Sequence, residues 1–370
     1  MRGEISPYID LQGRLGLFVP FQGGVGEALS PLTKQVLKGF GRNNYGQLGI
    51  AGASNRTSPV GIIDTSALML SCGYGSSYII IGDTLFATGD NSFGQLGLGD
   101  TNNRSEFTEV SSGWQIISAG GNHAMGIRNG ELYAAGRNAY GQLGLGDNDD
   151  RSEFVRIGSD NDWQAVSCGS SHTLAIKSGK LMVCGRNDNY QLGLMDTDHR
   201  NEFVQVGSET TWEKVAGGYE FSVALQKGKM YSAGYPAPGL GSTKKVFTHV
   251  EGFNDWEKIS TSFKHTMALR KGRLYTAGSN LRGELGRTIG TYYEFNQVGE
   301  DTDWRDIAAG QEFSVALKAG KMYSTGLNNN GQLGLGDTTN RSEFTKVSDE
   351  RWAMLAAGGV HVLGIANEML

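Results

Sequence analysis

Beyond residue 36 the chain is written in short apolar runs set between longer stretches rich in Gly, Asn and Asp. The segment HAMGIRNGELYAAG (123–136) shows the unit most clearly, with two β-type runs flanking Asn129-Gly130. HTLAIKSGKLMVCG (172–185) and FSVALQKGKMYSAG (221–234) repeat it around Ser178-Gly179 and Lys227-Gly228, and Lys271-Gly272 and Ala319-Gly320 sit in the same setting. An x-Gly pair supplies the positive φ that a tight hairpin needs, so each segment predicts strand, turn, strand. Ahead of each hairpin comes an apolar strand opening on Trp, and ahead of that a polar loop such as GLGDTNNRSEF (97–107) with a short strand ending in Val. No 3.6-residue period runs through the unit, which speaks against a helical solenoid.

The unit recurs at a fixed interval. Gly41, Gly89, Gly136, Gly185, Gly234, Gly278 and Gly326 mark it, at spacings of 48, 47, 49, 49, 44 and 48 residues. Five residues after the marker stands GQLG at Gly46, Gly94, Gly141 and Gly331, GELG at Gly283 and YQLG at Tyr190; only the fifth repeat lacks it. Several short strands per unit of this length predict blades of a β-propeller. The chain also ends at the repeat phase where residue 37 begins it, so the last blade should be completed by the first strand. We expect an all-β fold: a seven-bladed β-propeller of four-stranded blades, closed by strand 36–40 pairing with the C-terminal strand 361–370. Such a clasp removes the open edges of a linear stack. Residues 1–36 then form an N-terminal arm and 37–370 the propeller.

The combination GRNxYGQLGLGD, Trp, AGGxH and a hairpin ending in AAG resembles RCC1 repeats, those of the regulator of chromosome condensation family, over residues 37–370. The resemblance implies a binding module. Propellers of this kind include a nucleotide-exchange factor for a small GTPase and a β-lactamase inhibitor. That exchange factor carries a basic tail and an inserted wedge, whereas this arm is close to neutral and no insertion interrupts the repeats. Inhibitor function would want a secretion signal, and Asp10, Gln12 and Arg14 break the apolar run that one would need.

Composition narrows the picture further. Glycine, at 56 residues, is about twice its usual share while proline is only 6, so the glycines serve local backbone geometry. A formal charge of −5 argues against non-specific nucleic-acid binding. Cys72, Cys168 and Cys184 fit neither a disulfide framework nor a zinc spacing, and no run of about 18 apolar residues could cross a membrane. No metal and no cofactor are expected; GLGDTNNR lacks the spaced oxygen ligands of a calcium loop.

The conspicuous side chains read as scaffold because they repeat. All six tryptophans (114, 163, 212, 256, 304, 352) share one phase, with Ala67 in the first unit, as blade-packing groups would. His123, His172, His265 and His361 share a phase that we assign to Tyr78, Phe221 and Phe313 elsewhere, so aromatic volume serves where catalysis would require imidazole. Asp100, Asp147, Asp196 and Asp337 and Arg56, Arg104, Arg151, Arg200 and Arg341 should fix their loops by hydrogen bonds. The chain is therefore read as no enzyme.

Function should lie where the ring departs from itself. In the fifth repeat GYPAPGLGSTKKVF brings in Tyr235, Lys244 and Lys245, and Thr261-Ser262-Phe263-Lys264 replaces the small AGG turn. With neighbouring turns it should present Tyr219, Glu220, Phe263, Lys264, Gln311 and Glu312 on one face near the axis, a mixture that suits a protein interface. Ser76-Ser77 is taken as the corresponding turn of the first unit. The second departure is the arm, whose Leu15, Leu17, Phe18 and Phe21 are too few to make a core and need a surface to dock on. GEISP (3–7) and PFQGGV (20–25) resemble the opening of some short-tailed phage nozzle proteins. The main expectation is thus a structural or assembly protein, a phage virion component of tail or capsid, whose arm docks on a neighbouring subunit. The alternative is a soluble protein-recognition module, regulator-like or inhibitor-like. Either implies protein partners and a place in the virion or the cytoplasm.

Overall fold

The x-Gly turns form as the sequence dictates: Asn129, Ser178, Lys227, Lys271 and Ala319 have φ between 48° and 53°, each followed by a Gly at positive φ. This type I′ geometry matches the twist of the flanking strands. Each hairpin is flanked by two further antiparallel strands. The computed structural model describes Pro7–Ile9, Leu15–Leu17 and residues 33–369, and within it seven four-stranded sheets follow one another. We number the blades in chain order: one, 67–111; two, 114–156; three, 163–205; four, 212–249; five, 258–297; six, 304–346. Blade seven is composite, built from Arg351–Ala357, His361–Met369, Thr33–Gly41 and Arg56–Asp64. The Trp-led first strands touch those of both neighbouring blades all the way round, so they line the axis.

Seven hydrophobic cores lie between the blades. Ile80, Leu85 and Leu96 of blade one meet Trp114, Ile117 and Ala124 of blade two, and Met125, Leu132 and Leu143 of blade two meet Trp163, Val166 and Ala175 of blade three. The tryptophans therefore pack between blades as their shared phase implied, and all six are buried. Ala67 takes that place against Leu37, Leu48 and Ile365 of blade seven. Second strands are buried along five successive residues, since a neighbouring blade covers either face.

Closure follows the expected scheme and runs longer. Thr33 to Gly41 pair residue by residue with Met369 to His361, where 36–40 was anticipated. Buried Lys38 ties the two chain ends with ion pairs to Glu350 and to Glu368, the latter at 2.7 Å, and Lys34 adds Asp64 at 3.2 Å. Pro7–Ile9 and Leu15–Leu17 pair with each other and, among the described residues, with no blade.

The marker glycines close each hairpin against the loop that follows. Gly136 has φ 103°, and a Cβ there would stand 2.5 Å from the Asn122 carbonyl oxygen. The loop caps itself: Asn138 Oδ1 accepts from the Leu143 amide and Gln142 Oε1 from the Tyr140 amide, each at 2.9 Å. Asn91 with Gln95 and Asn328 with Gln332 do the same, which accounts for the RNxYGQLG pattern. The repeated Asp and Arg staple the loop's far end at 2.5–2.7 Å in the pairs 100–104, 147–151, 196–200 and 337–341. Arg56, without an Asp at that place, bonds the Ser54 carbonyl.

Candidate functional site

Two classes of unusual side chain need separating: those committed to the ring and those it leaves free. The histidines belong to the first. His123 Nε2 lies 3.0 Å from Thr173 Oγ1 of the next blade; His172 reaches Ser222 (2.9 Å), His265 reaches Ser314 (2.9 Å) and His361 reaches Ser77 (2.7 Å). Each hydroxyl donates its own proton to a backbone carbonyl, of Gln142, Gln191, Glu284 and Gln47 in turn. Its lone pair must then accept from Nε2–H, which fixes the neutral Nε2–H tautomer. Burial pushes these imidazoles down, to about 4 for His123 and His265 and about 3 for His172 and His361. A Ser–His pair has the composition of a nucleophile and base, but these are fully buried and the serine proton is already engaged, so no substrate could meet them.

The strand register corrects one assignment. Ser76, not Tyr78, pairs with Gly89 as His123 pairs with Gly136, so Ser76 occupies the histidine phase and Ser76-Ser77 lie in a strand. The turn of blade one is Gly73-Tyr74-Gly75. Tyr78, two residues on, buries its ring and donates to the Gln95 carbonyl at 2.7 Å. Composition follows contact here: histidines face Thr173, Ser222, Ser314 and Ser77, while Phe313 shares a core with Val362, which stands one residue after His361 as Thr173 stands one after His172. Phe221 breaks the rule, since the residue in register in the next blade is Thr266, whose buried hydroxyl has no hydrogen-bond partner among the described residues.

On the axial face the turns between first and second strands form an opening of about 140 Å³, lined by Tyr74, Tyr219, Phe263, Gln311, Cys72 and Cys168 on a floor of glycines. The floor is glycine because a Cβ at Gly120 would stand 2.5 Å from the Gly169 carbonyl oxygen and 2.6 Å from the His123 ring. Backbone bonds link the turns: Gly359 to Gly73, Tyr74 to Gly120, Gly121 to Gly169, Ser170 to Gly218, Tyr219 to Ser262 and Gln311 to Gly359. Among the described residues no such bond joins blades five and six, where Phe263 stands. Its ring packs on Tyr219, centroids 4.5 Å apart, and Lys264 Nζ lies 5.2 Å above it.

The sequence-derived candidates divide accordingly. Tyr219, Phe263 and Gln311 line the opening, and exposed Lys264 borders it. Glu220 and Glu312 are not among its lining residues and lie near Arg186 at 3.8 Å and Arg282 at 3.9 Å. Tyr235 does not line the opening; it is half exposed, its amide donating to the Glu220 carbonyl. Lys244 and Lys245 sit on the outermost strand of blade four, three strand spacings or roughly 14 Å from the axial strand, with Lys245 over the Tyr190 ring. The two departures of the fifth repeat thus fall in different blades, 235–243 in blade four and 261–264 in blade five. Leu15 and Leu17 lie on the short strand Leu15–Leu17; their side chains, and Phe18 and Phe21, lie outside the described residues. Tyr74 was missed. Matching Gly73-Tyr74-Gly75 to Gly120-Gly121-Asn122 would have found it.

Cys168 is buried and its thiol is pushed up to about 12, which leaves it inert. Among the described residues no cluster of His, Cys, Asp or Glu could hold a metal ion, and no helix is long and apolar enough to cross a membrane.

The regulator of chromosome condensation (RCC1) repeat profile matches residues 83–127, 129–176, 178–225 and 319–365, and a second RCC1 repeat profile matches 163–191. The chain belongs to the RCC1 repeat family. A search of the curated proteins gives no match. Solved RCC1-type propellers superpose closely at low identity. Human WBSCR16 gives a TM-score of 0.80 at 19% identity, covering 92% of this chain and 100% of that one. Prp20p of Saccharomyces cerevisiae, studied for its binding to Gsp1p and histones, gives 0.79 at 16%, covering 92% of each. Yeast RCC1 (Prp20) in complex with Kap60 gives 0.82 at 16%, covering 95% and 96%. At such identity the likeness concerns the fold.

Proposed function

We propose that this RCC1-type propeller is a non-enzymatic protein-recognition module whose partner docks on the axial face around Tyr74, Tyr219, Phe263 and Lys264. The observation that carries the reading is the Tyr219–Phe263 pair, two rings in tilted contact across blades four and five, beside the five–six junction that lacks the linking backbone bond among the described residues. Aromatic groups with a cation beside them are the usual anchors of protein interfaces. Elsewhere around the opening the turns offer mainly Gly, Ser and Asn. That Prp20p binds Gsp1p and histones, and yeast RCC1 binds Kap60, supports a binding role for the fold.

The reading as an assembly subunit docked through its arm, in a virion or elsewhere, stands second. What favours it is the separate two-stranded sheet of Pro7–Ile9 and Leu15–Leu17; the comparisons lend the virion setting no support. One experiment separates the two. Partners purified on the wild-type protein, on Tyr219→Ala/Phe263→Ala and on a chain lacking residues 1–32 are compared. We expect a partner whose retention falls at least tenfold on the double variant and persists without the arm. Loss on arm removal alone would transfer the function to the arm.

A further inference from the structure

The last residue of the second strand is polar in five successive blades: Arg128, Lys177, Gln226, Arg270 and Lys318. In four of them the loop that precedes the blade's tryptophan supplies an acid. Lys177 pairs with Asp160, Gln226 Nε2 lies 3.4 Å from Glu209, Arg270 makes a two-point pair with Asp255 at 2.5 and 2.9 Å, and Lys318 reaches Asp301 at 2.8 Å. Those loops, 158–162, 207–211, 251–255 and 299–303, have five residues between the preceding Val or Ile and the tryptophan. Before Trp114 there are three, Ser111-Ser112-Gly113, and none is acidic. The ring thus contains its own control: the same cation on the same strand, with its carboxylate deleted.

Arg128 accordingly has no carboxylate among the described residues. Its guanidinium stands 5.8 Å from the Trp114 ring and 5.1 Å from the Tyr133 ring. Glu131 is already engaged by Tyr133 Oη at 2.7 Å and by Arg156 at 3.0 Å. Where the longer loop would lie, a groove of about 310 Å³ opens between blades one and two, with Arg128, Trp114 and Tyr133 among its walls and exposed Glu109 and Glu153 on its rim. Neither glutamate has an ion pair among the described residues.

We propose that this groove is a second protein-docking site, distinct from the axial face, and that it takes an acidic side chain of a partner flanked by basic ones. The incoming carboxylate would occupy on Arg128 the place that Asp255 occupies on Arg270, a geometry suited to a two-point guanidinium–carboxylate pair. The basic neighbours would meet Glu109 and Glu153. A groove walled by both signs of charge rejects a purely acidic segment as well as a purely basic one.

The probe is the peptide acetyl-Lys-Asp-Lys-amide, titrated into the full chain while the Arg128 Nε–H and Trp114 indole N–H resonances are followed. We expect saturable shifts at both, at least tenfold weaker binding of acetyl-Lys-Asn-Lys-amide, and at least tenfold loss with Arg128→Met. Replacing Ser111-Ser112-Gly113 by the sequence of residues 158–162 restores the missing acid in cis, and should abolish binding even if Arg128→Met folds poorly. Unsaturable shifts, equal binding of the asparagine peptide, equal response at Arg270, or full binding by the loop-replaced chain would each overturn the proposal.

Discussion

Acid should loosen this ring well before its carboxylates titrate, and the histidine clasps set the size of the effect. Each of His123, His172, His265 and His361 is neutral in the fold, with Nε2–H spent on a hydroxyl of the next blade. Nδ1 of His123, His172 and His361 has no hydrogen-bond partner among the described residues to receive a second proton. Their folded pKa values, about 4 and 3, lie below the unfolded value near 6.5. The unfolded chain therefore binds more protons: stability is complete above pH 6.5 and declines as pH falls below it, towards the folded values. At pH 5 each histidine has cost about 2 kcal/mol and the four together about 8 kcal/mol. An unfolding entropy of about 2 cal/mol/K per residue gives roughly 0.7 kcal/mol/K for this chain, so Tm should drop by about 10 °C between pH 7 and pH 5. Carboxylates held low by partners, such as Asp100 and Asp337, begin to count only near pH 4. Circular dichroism melts across pH 5–8 measure the slope. His172→Phe with Ser222→Val, which copies the natural pair Phe313 and Val362, should remove about a quarter of it. A Tm independent of pH over this range, or an unchanged slope in the double variant, would refute the reasoning.

Other perturbations have equally direct readouts. Trp212→Ala empties the core between blades three and four and should cost about 4 kcal/mol in urea unfolding, with loss of the two-state transition as the extreme outcome. Gly136→Ala combines a φ of 103° with a 2.5 Å backbone clash and should cost more than 2 kcal/mol, whereas Ala134→Gly two residues away should cost about 1. Lys38→Met breaks the ion pairs between the chain ends and leaves Glu350 and Glu368, about one-third exposed, to relax into water; about 2 kcal/mol is expected, with hydrogen exchange quickening first in strand Thr33–Gly41.

Whatever is repeated was legible in the sequence, because the ring copies one solution seven times. The hairpins, the loop-fixing Asp and Arg, the phase of the tryptophans and the composite blade all follow from spacing alone, whereas the Asn and Gln that cap the loops emerge only from the structure. The slip between Ser76 and Tyr78 arose because Gly73-Tyr74-Gly75 lacks the paired glycines that align the other turns, and it concealed Tyr74. Three of the histidine bonds join residues about 50 positions apart and the fourth, His361–Ser77, spans 284, so imidazole and phenyl look interchangeable until the facing hydroxyl is known. Lys38 reads as one surface cation among many, since its acids are brought to it only by closure. The three residues between Val110 and Trp114, against five before Trp163, Trp212, Trp256 and Trp304, were in plain view; their meaning required the sister pairs Lys177–Asp160 and Arg270–Asp255.

The clasp of blade seven also bears on how the chain acquires its shape. Gly41 pairs with His361, 320 residues further on. A nascent chain makes strand Thr33–Gly41 early, and that strand keeps an unsatisfied edge while six complete blades are synthesised after it. Blades can form one by one from local hairpins, but the first and last cores of the circle appear only when residues 351–369 arrive. During that interval an intermolecular partner for the waiting strand is the competing outcome, and swapped dimers that exchange Thr33–Gly41 are the misfolded species this topology favours.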